Sequence, residues 1–183
     1  MSRLSGDQTI GPFGQRISMS GIVETLQYTL VTNMAAQGQI HYNGSFGFAM
    51  ADPGLHSEYD TRKVWDDPYK LTWFVAGWGP ERERYCANAV RKLRPAARNG
   101  IDTLDLVTGN YLPFQGVVES QPNQDGLYPW GDFPWGGATF VGFDDKLLLG
   151  AVSGLRQEED HALAGVILNL VGLQLFRADH PIT

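Results

Sequence analysis

Residues 136–164 read GGATFVGFDDKLLLGAVSGLRQEEDHALA, and their order decides the fold. The glycine pair Gly136-Gly137 precedes two runs rich in apolar residues, 138–143 and 146–152, joined through Asp144-Asp145. Such runs around a short acidic turn predict two neighbouring strands. Ser153-Gly154 ends the second run. Gln157-Glu158-Glu159-Asp160 then starts a helix whose acidic first turn complements the positive end of the helix dipole. Helical spacing predicts that this helix spans about 156–176 and buries Leu163, Val166, Ile167, Leu170 and Val171. The stretch Gly150-Ala151-Val152-Ser153-Gly154 invites a phosphate-loop reading, but the acids after it would repel a phosphate. Ser153 therefore reads as a turn or capping residue, since nothing places a histidine base beside it. His161 falls on the polar side of the helix and is expected to be exposed.

Upstream, Met19, Ile22, Val23, Leu26, Leu30 and Met34 recur at helical spacing over 18–37, with Ser20 as a cap and Gly38 as the terminator. SFGFAMA, residues 45–51, alternates large and small side chains and ends at Asp52-Pro53-Gly54, a turn signal. YKLTWFVA, residues 69–76, is a second strand candidate. A helix comes after Gly77-Trp78-Gly79, with Pro80 suited to its first turn. It is expected to bury Cys86, Ala89, Val90, Leu93 and Ala97, to kink at Pro95 and to end at Gly100. Its basic residues, Arg82, Arg84, Arg91, Lys92, Arg94 and Arg98, read as a solvated face, with an anion-binding face as the rarer alternative. Cys86, the single cysteine, reads as a small core residue and excludes an internal disulfide.

At 183 residues the chain suits one domain. The expected boundaries are an arm over 1–17, a domain over 18–176 with loops inserted near 56–68 and 108–135, and a tail over 177–183. Hydrophobic residues make up 43% and charged residues 19%, a globular balance. The net charge of −6 argues against nucleic acid as a partner, since phosphate binding needs a basic excess. No apolar run is long enough to span a bilayer, and the first residues lack the apolar core of a signal peptide. A cytoplasmic protein with no membrane partner is expected.

Four elements in order resemble the GlcG/HbpS (haem-degrading-domain) family: the glycine pair, the strand pair, Val152-Ser153-Gly154, and Glu158 with Asp160 opening the last helix. Lys92-Leu93-Arg94-Pro95-Ala96 followed by Gly100 and Thr103 is similar to that family's Lys-Ala-x-Thr-Ala and Gly-x-x-Thr, with Pro95 in place of the threonine. The resemblance implies an α+β fold, a five-stranded antiparallel sheet with packed helices of the profilin-like class. It also implies homo-oligomers and haem or another small-molecule ligand. The chain departs from the family at Gly77-Trp78, where an arginine and an aspartate are usual, and in its two insertions.

Those insertions hold the candidate chemistry. His56 lies near Asp52 and Glu58, and such a group serves as a general base. A solvated loop histidine is the plainer reading. Asp132 sits among aromatics, where an apolar setting would raise its pKa. The catalytic candidates are thus His56, Asp52 and Asp132. Tyr128, Trp130 and Trp135, with Trp65 and Trp78, are expected to shape a pocket for an apolar or aromatic ligand, or alternatively a subunit interface. If haem binds, His41 and His56 are the expected axial ligands. No metal site is expected, because no paired histidine spacing occurs. The chain carries no cofactor motif. It reads as an enzyme of isomerase, cyclase or lyase type without a redox cofactor; haem binding and a non-catalytic assembly module are the alternatives.

Overall fold

The computed structural model describes residues 19–51, 72–108, 135–143 and 146–179. Helix α1 (Met19–Leu26) passes through a π-helical turn (Gln27–Thr32) into the short α2 (Asn33–Ala36). Strands β1 (Phe46–Ala51) and β2 (Thr72–Trp78) come next, then the long α3 (Arg82–Asn99) and the short α4 (Thr103–Thr108). Strands β3 (Ala138–Phe143) and β4 (Lys146–Ser153) lead to α5 (Gln157–Asp179). The strands form one antiparallel sheet in the order β2-β1-β4-β3. Among the described residues this sheet has four strands, where five were expected. The chain before β2 (52–71) and before β3 (109–134) lies outside those residues.

The alternation of large and small residues in β1 explains the layering. Phe46, Phe48 and Met50 point to one face, where they meet α1 and α5 side chains such as Ile22, Leu26, Ile167 and Val171 in one core cluster. Ala49 and Ala51 point to the other face, against Ala89, Leu93 and Ala96 of α3. Small residues let α3 lie close to the sheet. A side chain at Gly47 would run into the backbone of Tyr85 and Cys86. The same close packing buries Cys86 as expected and pushes its thiol up to about 11.

Two helices depart from their expected stripes. In the first, the buried apolar positions among the described side chains run Ile22, Leu26 and Val31, a step of five after Leu26. The π-turn adds one residue per turn and rotates the later positions about the helix axis, which a 3.6-residue pattern does not foresee. Thr32 stabilises the widened turn by donating its hydroxyl to the Gln27 carbonyl at 2.9 Å. In α5, Leu163, Ile167 and Val171 are buried, but Val166 and Leu170 are 41% and 37% exposed. Ala164, Leu168 and Leu175 occupy the inward face in their place. Helix α3 continues through Pro95 and begins two residues after Pro80, ending at Gly100 in the left-handed conformation.

Candidate functional site

Where the end of β4 meets the start of α5, facing α3, lies a cavity of about 220 Å³. Arg84, Tyr85, Asn88 and Lys92 line it from α3. Their spacing of one, three and four places them on one helical face. Ser153, Gly154 and Leu155 line it from the β4–α5 junction, Gln157 and Asp160 from α5, and Trp135 from the chain before β3.

Lys92 and Asp160 form a buried ion pair in this wall. The lysine Nζ donates to Asp160 Oδ2 at 2.7 Å and to the Val152 carbonyl at 2.8 Å. The side chains are 1% and 3% exposed. The basic face expected to be solvated therefore turns Lys92 inward. Its place in the helix explains this: Lys92 lies three residues after Ala89 and four before Ala96, both fully buried, so it sits on the buried stripe. Asp160 also accepts the backbone N–H of Leu155 at 2.9 Å and that of Gly154. Burial disfavours both charges. It moves Lys92 below its ordinary range against the pull of Asp160, and raises Asp160 to about 6 against the opposing pull of Lys92 and the backbone donors.

Gly137 makes room for the pair. Its φ is +128°, and a Cβ there would lie 2.6 Å from the Val152 oxygen, 2.7 Å from Lys92 Nζ and 2.9 Å from Asp160 Cβ. The glycine pair, the Lys92 motif and the acidic helix start, far apart in sequence, thus meet at one point. Thr103 stitches the neighbouring region: its hydroxyl accepts the Ala138 N–H at 2.8 Å and lies 3.3 Å from the Ala138 carbonyl. Asp102 accepts from the Phe140 N–H at 2.9 Å and the Thr139 hydroxyl at 2.8 Å. His161, expected to be exposed, is only 28% so, with Nε2 3.8 Å from Asp102.

His41 lies away from the cavity lining. Its backbone N–H and its Nδ1 both reach Glu159, at 3.1 and 3.0 Å. Glu159 also accepts the Arg156 N–H at 3.1 Å, the reach-back of a capping box. Burial of Glu159 opposes its ionisation, but the His41 and Arg156 hydrogen bonds outweigh this and hold its carboxyl below the ordinary range. Of the expected pocket aromatics, Trp135 lines the cavity at 56% exposure, and Trp78, 42% exposed at the end of β2, does not. His56, Asp52, Asp132, Tyr128, Trp130 and Trp65 lie outside the described residues. Arg84, Asn88 and Gln157 were not among the site residues expected from sequence, and neither were Lys92 and Asp160. The matched motifs around Lys92 and Asp160 were the signal that could have singled out that pair.

No protein-family model matches the chain, and no curated protein matches it. Among solved structures, the chain is similar to "Crystal structure of Klebsiella pneumoniae protein ORFY, family-model DUF336". The two are 17% identical, the match covers 84% of this chain and 88% of that one, and the TM-score is 0.50. DUF336 corresponds to the GlcG-like fold. Among the described residues no helix is long and apolar enough to cross a membrane. The likeness is one of fold: a mixed α+β architecture with an antiparallel sheet, distantly similar to a DUF336 protein.

Proposed function

We propose that the protein binds a small polar metabolite in the cavity beside Lys92 and Asp160 and carries out acid–base chemistry on it without a redox cofactor. Isomerisation, cyclisation and elimination are the reaction types this chemistry serves. The observation that carries the reading is the position of the pair: the two buried charged side chains among the described residues both line the cavity. A carboxyl raised to about 6 gives up and regains a proton near neutrality, as general catalysis requires. Lys92 stabilises the carboxylate once the proton has left. The cavity is smaller than the roughly 300–1,000 Å³ of pockets that enclose drug-sized ligands. That size and the polar lining favour a small polar ligand over the bulky aromatic one expected from the tryptophans. His56, Asp52 and Asp132 remain the expected source of a second proton-transfer group.

Haem binding is the alternative that the resemblance carries. The described residues do not fit a haem in this cavity: its described lining contains no histidine, and His41 Nδ1 is engaged by Glu159. Haem bound elsewhere would give a saturable Soret shift on titration with haemin, lost when His41 or His56 is replaced.

A thermal-shift screen of the full chain against small metabolites tests the principal reading, with hits pursued for turnover by NMR. Conversion that Asp160→Asn abolishes while the variant stays folded and still binds the hit supports the enzyme. A hit displaced by Asn88→Phe, which fills the cavity, but never converted would leave a binding protein and remove the catalysis.

A further inference from the structure

We infer that the ligand of this cavity is a small carboxylate gripped by Arg84, Asn88 and Ser153. The inference rests on reading the cavity as a ligand site and adds the chemical class of the ligand.

The hydrogen-bonding inventory of the wall is lopsided. Asp160 is the one acidic group in the described lining, and its carboxylate already accepts from Lys92 Nζ and from two backbone N–H groups. Lys92 in turn is engaged by Asp160 and by the Val152 carbonyl. The remaining groups are mostly donors. Arg84 offers a fork of five N–H bonds; among the described residues Nη1 is engaged by Glu81 at 2.9 Å, and the guanidinium lies 5.8 Å from the Tyr85 ring centroid. For the Asn88 amide and the Ser153 hydroxyl no partner lies among the described residues. The Tyr85 oxygen accepts from Asn43 Nδ2 at 2.9 Å, which leaves its own proton to donate.

Lys92 is paired with Asp160 and Arg84 with Glu81, so what the described lining offers is the free edge of the Arg84 guanidinium. Donors in excess, led by the unengaged N–H bonds of a guanidinium, call for a ligand with several acceptor lone pairs and a negative charge. A carboxylate has both, and a guanidinium meets it with two parallel N–H bonds. A doubly charged phosphate fits less well, because Glu158 and Glu159 stand in the first turn of α5 beside the cavity.

The test titrates the full chain with acetate, propionate, succinate and benzoate, and with the matching amides, by ligand-detected NMR. Each acid should bind at least about tenfold more tightly than its amide, the worth of one hydrogen bond to a charged group. Arg84→Gln should weaken the acids by a similar factor and leave Tm unchanged, since the Arg84 side chain is 71% exposed. Amides that bind as well as acids, both lost in Asn88→Phe, would keep the ligand site and overturn the carboxylate. Acid binding untouched by Arg84→Gln, or absent at millimolar concentration, overturns it too.

Discussion

Replacing Asp160 with asparagine keeps the shape of the side chain and removes the charge that Lys92 faces across 2.7 Å. Lys92 is 1% exposed, so water cannot take the place of the lost carboxylate. Removing one partner of a buried ion pair costs about 3–5 kcal/mol, because the other charge stays buried and uncompensated. For a chain of this length that corresponds to a fall in Tm of ~6–20 °C. Urea unfolding at pH 7, where Asp160 carries its charge, monitored by circular dichroism measures it. Lys92→Met removes the charge that lost its carboxylate, so the double variant Lys92→Met with Asp160→Asn should be no less stable than Asp160→Asn alone. The asparagine oxygen still accepts the Leu155 N–H there. A loss below about 1 kcal/mol for Asp160→Asn, or a double variant as unstable as the sum of the singles, would refute the buried pair as a stabilising unit.

The penalty of Asp160→Asn should also shrink as pH rises. Between about pH 4 and 6 the native state holds the Asp160 proton and the unfolded chain does not, so stability from this group is present below that window and is lost as pH passes 6. Unfolding curves of both proteins at pH 4.5 and 7 check the sign; a penalty that grows with pH would contradict it. Gly137→Ala should cost at least about 2 kcal/mol, through its positive φ and the collision with Lys92 Nζ, while Gly142→Ala, where a Cβ meets nothing within 4 Å, should cost far less. Equal losses at the two glycines would contradict the crowding at Gly137. His41→Ala should cost less than about 1 kcal/mol, since the pair is partly exposed and the backbone N–H contact to Glu159 survives. The Cys86 thiol, pushed up to about 11, should stay unreactive toward a thiol reagent at pH 8 until the protein unfolds; prompt labelling of the native chain would show otherwise.

The strands and helices were largely legible because their signals are local. The runs at 138–143 and 146–152 fall on β3 and on β4 up to its last residue, and the large-small alternation of residues 45–51 foreshadows a sheet covered on both faces. The π-turn was not legible, since one added residue at Gln27–Thr32 shifts the stripe without a distinctive composition. The site was legible only in fragments. Gly137, Lys92 and Asp160 each belong to a motif visible in the sequence, but their meeting depends on long-range pairing of β1, β3 and β4. Lys92 was misread because charge suggests solvent, and only the buried neighbours at Ala89 and Ala96 show that its position faces inward.

A carbon-13 NMR titration of the aspartate side-chain carboxyls, with and without a saturating small carboxylate, tests the central claim most directly. The account predicts one resonance, lost in Asp160→Asn, that titrates near pH 6 and moves to higher pH when a second negative charge enters the cavity. An Asp160 that titrates in the ordinary carboxylate range and is indifferent to added carboxylate would contradict both the acid–base role and the ligand site.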